Sequence, residues 1–232
     1  MPKDSSTFDM FDAHGAGTEK NQGTFPQGIN ASGLITGYYL DTNMAEHGFL
    51  RMADGTLIEF DAPGAGSGAY QGTKPTSING KGVIAGSYIN AAGATSGFIR
   101  TAAGAFATFA VAVAPDPTTI PNCINDEGVV VGSAGGSSGL GAGFIRTADA
   151  QIITFDFPGE AWSINAAGDV LGSWVDPIQT IGGVFVRKSS GVFVRYHVLA
   201  VVSAAINDAG TVMGTYAVEE THHGFLRWQS AN

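Results

Sequence analysis

The sequence predicts an all-β fold: a five-bladed β-propeller with four-stranded blades, closed by an N-terminal strand that completes the last blade. Three observations carry this. The phrase Ile-Asn-x-x-Gly-x-x-x-Gly occurs five times, with its asparagines at Asn30, Asn79, Asn125, Asn165 and Asn207. Successive asparagines are 49, 46, 40 and 42 residues apart, close to the roughly 40–45 residues of a four-stranded propeller blade. The chain also ends one strand short of a full repeat, and its beginning resembles the missing strand.

Within each repeat, strand A ends at Ile-Asn. An Asn-x-x-Gly turn follows, because Asn and Gly tolerate the left-handed backbone of tight turns. Strand B comes next, Leu34 to Tyr39 in the first repeat. A variable loop leads to strand C, Gly48–Arg51, whose phrase Gly-Phe-Leu-Arg or a close variant ends at Arg51, Arg100, Arg146, Arg187 and Arg227. The turn Ala53-Asp54-Gly55 leads to strand D, Thr56–Phe60. The repeats cover about 24–62, 73–111, 118–157, 160–196 and 201–232 of a single domain, 1–232. No segment has a helical period. Thr7–Gly15 aligns with Thr56–Gly64. Residues 6–13 are therefore expected to pair into the last blade and remove an exposed sheet edge.

Composition narrows the function. Hydrophobic residues reach 44%, which argues against disorder. The net charge is −9 and the 11 Lys and Arg form no run, which excludes a nucleic-acid partner. No apolar stretch approaches the ~18 residues of a membrane helix, so no membrane span is expected. One cysteine, Cys123, forbids an internal disulfide. It stands where other repeats carry Gly28, Ser77, Ser163 and Ala205, a small-residue slot that predicts a buried, inert thiol. The polar start, Met1-Pro2-Lys3-Asp4-Ser5, lacks the apolar core of a signal peptide. A monomer is expected.

The run Gly28–Tyr38, His47–Leu50 and Phe60–Ala65 resembles the bacterial extracellular repeats called HAF-type. The resemblance covers nearly the whole chain. It implies a propeller and a secreted or periplasmic location, and says little about chemistry.

In a propeller the D-to-A and B-to-C connections share one face, where loops vary and function is written. All five histidines fall there on this register. His14 and His197 lie in D-to-A connections; His47, His222 and His223 lie in B-to-C connections, with Asp41, Glu46, Glu219 and Glu220 nearby in sequence. His14 replaces the Pro63 and Pro158 of other repeats, and His197 replaces Asp61 and Asp156. His14, His197, His222 and Glu219 are therefore the candidate catalytic set. Imidazole and carboxylate suit general acid–base work. They also suit a divalent metal such as zinc, although no cofactor is required and no compact ligand motif is present. His47 and His223 share one repeat slot and have a structural alternative, bonding the backbone where strand C begins. Tyr38, Tyr70, Trp162, Trp174 and Tyr216 supply aromatic surfaces that pack between blades or stack on a sugar-like ligand. With His47 and His223 they form the candidate ligand-binding set.

Two functions remain open: a single-site hydrolase or lyase acting on a sugar-like or small polar substrate at the channel mouth, or a non-catalytic, lectin-like module for a small molecule or glycan. Unequal loops favour one specialised site. Compare Asp41-Thr42-Asn43-Met44 with Gly135-Gly136-Ser137-Ser138.

Overall fold

The computed structural model describes residues 9–113, 117–136, 141–176, 178, 181–198 and 200–227. Among the described residues it holds eighteen strands and no helix. Repeat one forms β1 (Gly23–Ile29), β2 (Ile35–Leu40), β3 (Glu46–Arg51) and β4 (Leu57–Phe60), each antiparallel to the next. Repeat two does the same with β5 (Gly72–Ile78), β6 (Ile84–Ile89), β7 (Thr95–Arg100) and β8 (Phe106–Phe109). Repeat three uses β9 (Thr119–Ile124), β10 (Val130–Ala134), β11 (Ala142–Arg146) and the first half of β12 (Ile152–Ile164). The second half of β12 opens repeat four, followed by β13 (Val170–Asp176), β14 (Ile181–Arg187) and β15 (Phe193–His197). Repeat five has β16 (Val201–Ile206), β17 (Val212–Val218) and β18 (Thr221–Arg227).

The repeated phrase builds both a turn and a core. Asn30 Oδ1 accepts the N–H groups of Ser32 and Leu34, and Gly33 turns the chain with φ 75°. The same bonds recur at Asn79 and Asn125. The second glycine has a different task. A Cβ on Gly172 would lie 1.9 Å from the Glu160 carbonyl oxygen and 2.6 Å from the Phe185 ring. Only a bare α-carbon lets strand A approach there while the Phe of strand C lies across it. That Phe is fully buried at Phe49, Phe98, Phe144 and Phe185.

The asparagines also tie the repeats together. The side-chain N–H of Asn30 donates to the Asn79 carbonyl (2.9 Å), Asn79 to Asn125 (2.9 Å), Asn125 to Asn165 (3.3 Å) and Asn165 to Asn207 (3.0 Å). Asn30, Asn79, Asn125, Ala166 and Asp208, one from each repeat, line a single cavity of about 260 Å³. The five A-to-B turns therefore gather around a common opening. The strand-C arginines lie on aromatic rings: Arg100 over Phe60 (4.7 Å), Arg146 over Phe109 (5.1 Å) and Arg227 over Tyr196 (4.3 Å). Each of these is a cation–π contact with the preceding repeat.

Three expectations need revision. Strands D of repeat three and A of repeat four are one continuous strand, β12, although Phe155–Gly159 matches the phrase that turns after Phe60. Repeat one has a long connection between Phe60 and Gly72, and the shortened spacing leaves no residues for one here. Cys123 is half-buried rather than buried.

The third concerns closure. The sheets do not close into a ring, and among the described residues repeat five has three strands. Residues 1–8 lie outside the described part, and Asp9–Ala13 belongs to no strand. Yet this segment occupies the place of a strand D against repeat one. Phe11 meets Phe49 edge-on at 5.9 Å, and the Arg51 guanidinium lies 4.8 Å over Phe11 and bonds Asp9 at 2.7 Å. The Ala13 N–H donates to Thr24 Oγ1, just as Ala62 donates to Thr73 and Val111 to Thr119. The other half of the contact is open. Ile29 is 68% exposed where its counterpart Ile78 is 7% exposed, and Met213 and Leu226 are 59% and 55% exposed where Leu171 and Val186 are buried.

Candidate functional site

A cleft of about 500 Å³ lies between the sheets of repeats three and four, lined by Ile120, Asn122, Ser133, Glu160 and Trp162 among others. Two β-bulges build it. Cys123 pairs with Val131 and Pro121 with Gly132, so Asn122 is the extra residue; Ala161 pairs with Gly172 and Ser163 with Leu171, so Trp162 is the extra residue. A bulge re-aims its side chain out of the regular alternation. The Trp162 indole N–H donates to Glu160 Oε2 at 2.8 Å. Asn122 Nδ2 donates to the Ala161 carbonyl (2.9 Å) and to Ser133 Oγ (3.2 Å). These bonds fix the side chains and leave Glu160 Oε1, Asn122 Oδ1 and the Ser133 hydroxyl for a ligand. No Lys, Arg or His is among its described lining residues.

The other candidates gather in three places. In repeat one, His14 is exposed. Its backbone N–H and that of Gly15 donate to Glu59 Oε1 (2.7 and 3.4 Å), and its imidazole Nδ1 lies 3.6 Å from the same oxygen. The Tyr39 hydroxyl donates to Glu59 Oε2 at 3.2 Å, and burial together with the Glu59 charge holds the phenol well above its ordinary pKa. His47 stacks on Tyr39 (5.0 Å), places Nδ1 3.0 Å from Asp61 and Nε2 3.8 Å from Asp41. Tyr38 stacks on Phe25, with the Lys74 ammonium 4.6 Å above its ring, so it is an inter-repeat packing residue. Tyr70 is exposed, with φ 59°.

In repeat four, His197 meets Trp174 edge-on at 5.1 Å. In repeat five, His223 stacks on Tyr216 at 5.3 Å, repeating the His47–Tyr39 pair. Both histidines of this slot therefore pack on a strand-B tyrosine. His222 and Glu219 are exposed beside that strand-B to strand-C turn. Among the described residues, no hydrogen bond, ion pair or ring contact joins any two of His14, His197 and His222. No group of three His, Cys, Asp or Glu residues there is placed to hold a metal.

Of the sequence candidates, Trp162 lines the cleft described above, and His197 lines a second cavity of about 380 Å³ with Arg195, Tyr196 and Arg227. Asn122 and Ser133 were not singled out by sequence. The signal for Asn122 is its position three residues before the motif asparagine, a slot that reads Gln27, Thr76, Asn122 and Trp162 in successive repeats.

Glu46 provides a pH test of the neighbouring packing. Burial pushes its carboxyl above the usual range, against the opposing pull of the Lys74 ammonium 3.5 Å away. Between the ordinary and the raised pKa the folded state holds a proton that the unfolded chain lacks, so stability falls as pH rises through that window. Glu46→Gln is expected to raise the melting temperature relative to the wild type at about pH 7 and to lose that advantage at about pH 4. An identical difference at both pH values in a thermal melt would refute this.

No protein-family profile matches the chain, and no curated protein matches it. Among solved structures the chain is similar to the β-propeller domain of the Trilobed protease from Pyrococcus furiosus, which is described as having an open velcro topology. The TM-score is 0.46 and the identity 9%, over 90% of this chain and 83% of that chain.

Proposed function

We propose that the chain is a five-bladed β-propeller that closes through its N-terminal segment and binds a small polar or glycan-type ligand in the cleft at Trp162. The ring reading is supported by the cavity that all five repeats line and by the complementary apolar surfaces left at its two ends, Ile29 on one side and Met213 and Leu226 on the other. Location outside the cytoplasm rests on the HAF-type resemblance alone.

The observation that carries the binding reading is the Trp162–Glu160–Asn122–Ser133 arrangement around a cleft large enough for a small molecule. An indole that is already hydrogen-bonded is held in one orientation, and pre-organisation lowers the cost of binding. The arrangement belongs to one pair of repeats. The slots of Glu160 and Trp162 hold Lys74 and Thr76 in repeat two. One such cleft fits a single site better than the equal sites of a multivalent lectin. Screening a glycan array and a library of small polyols by tryptophan fluorescence tests it. Trp162→Ala and Asn122→Ala are expected to weaken any hit at least about ten-fold, the loss of one or two good polar or stacking contacts. A hit unaffected by both substitutions would place the site elsewhere.

The second reading is a proton-transfer enzyme. Its support is the His47–Asp61 pair, in which a carboxylate fixes the imidazole tautomer.

A further inference from the structure

Repeats one and four put opposite chemistry at the outer end of the same strands. Tyr39 and Trp174 both stand two residues after the second glycine of their repeats. Glu59 lies opposite Phe49 on β4, and Arg195 lies opposite Phe185 on β15. Two residues further on stand Asp61 in repeat one and His197 in repeat four. At this end of repeat one both side-chain donors have acceptors: the Tyr39 hydroxyl bonds Glu59, and His47 bonds Asp61. In repeat four both acceptors are replaced by donors.

The result is a local shortage of acceptors. Trp174 is 7% exposed, and among the described residues its buried indole Nε1 has no hydrogen-bond partner. The Arg195 guanidinium lies 5.4 Å from the Trp174 ring and 4.3 Å from the Phe157 ring. It forms no ion pair among the described residues. The His197 ring sits 5.1 Å from Trp174 and brings a further N–H. A buried N–H without a partner is unfavourable in a folded protein. Arg195, His197 and Arg227 line one cavity of about 380 Å³, and no carboxylate is among its described lining residues. Arg195 and His197 are both exposed, so the two charged or chargeable groups face solvent.

We propose that Arg195 and His197, beside the Trp174 ring, bind a small carboxylate, which supplies the acceptor that Glu59 and Asp61 provide in repeat one. A guanidinium fork takes a carboxylate through two parallel bonds, and the flanking Phe157 and Trp174 rings hold the fork flat. None of the three residues lines the cleft at Trp162, so this site is independent of the glycan-type reading above.

The test uses the full chain, titrated with sodium acetate and with sodium glucuronate against sodium chloride at equal ionic strength. The first probe is a free carboxylate and the second a sugar acid. Tryptophan fluorescence and melting temperature are read. Either carboxylate is expected to give a saturable response that chloride does not. A stronger response to glucuronate identifies a sugar acid as the ligand, and equal responses identify the carboxylate alone. Arg195→Glu restores the acceptor of repeat one. It is expected to weaken the response at least ten-fold and to raise the melting temperature without added anion. Arg195→Gln, which keeps the size and removes the charge, is expected to weaken binding as well. Trp162→Ala is expected to leave the acetate-dependent change in melting temperature unchanged. A response no larger than that to chloride, or one equal in wild type and both Arg195 variants, would overturn the proposal.

Discussion

Removal of residues 1–15 is expected to lower the melting temperature by about 10 °C. Phe11 is the main reason. It fills against Phe49 and under the Arg51 guanidinium the place that Phe60 fills in the next repeat. Truncating a well-packed Phe costs about 3–5 kcal/mol when the site is fully enclosed, and less where it is half-buried, as here. The ion pair between Arg51 and Asp9 adds little, because Asp9 is exposed and surface pairs are worth about 0–1 kcal/mol. The Ala13 N–H bond to Thr24 adds about 1 kcal/mol. In a chain of this size each kcal/mol moves the melting temperature by about 2–4 °C, so the sum falls near the stated shift. Phe11→Ala alone is expected to reproduce most of it, and Asp9→Ala almost none. Circular dichroism melts of the three variants decide. A truncated chain that melts within about 2 °C of the full one, inside the shift of a single kcal/mol, would mean that the segment clasps nothing.

The repeats made most of the fold legible before any coordinates. Gly37 and its equivalents had to be glycine because another backbone and a Phe ring meet there, and that constraint is written into each repeat as the same letter. What the repeats do not encode is the connection between them. The phrase Phe-Asp-x-Pro-Gly precedes a turn after Phe60 but lies inside a continuous strand after Phe155, because the length of the following connection, and not the phrase, decides whether the chain must bend. The same limit explains the site. His14 and His197 stand out in the sequence because they break the pattern, but a pattern break places a residue on a rim and does not bring it near another. His14 found Glu59, His197 found Trp174, and His223 found Tyr216, each within its own neighbourhood. Trp162 was legible as an aromatic in a variable connection. Asn122 was not, because it lies in a strand whose bulge turns it toward the cleft, and a one-residue bulge leaves no composition signal.

The asparagine ladder offers the sharpest test of ring closure. Asn125 is buried; its Oδ1 accepts the N–H groups of Glu127 and Val129, and its Nδ2 donates to the Asn165 carbonyl. At about 1 kcal/mol for each intramolecular hydrogen bond, Asn125→Ala is expected to cost about 3 kcal/mol. Asn207 sits at the end of the ladder. It accepts from the Thr211 N–H, and its carbonyl receives Asn165 Nδ2, but its own Nδ2 has no acceptor among the described residues. In a closed ring the successor is the Asn30 carbonyl, the acceptor that would continue the series from Asn30 through Asn165. Burial of Ile29 against Met213 and Leu226 would accompany that bond and strengthen it by excluding water. Asn207→Ala is therefore expected to cost within about 1 kcal/mol of Asn125→Ala if the ring closes, and about 2 kcal/mol less if it does not. Urea denaturation midpoints of the two variants, with equal slopes, separate these outcomes. A small Asn207 effect together with a large Asn125 effect would leave the five repeats an open arc, whose ends must then be covered by something other than each other.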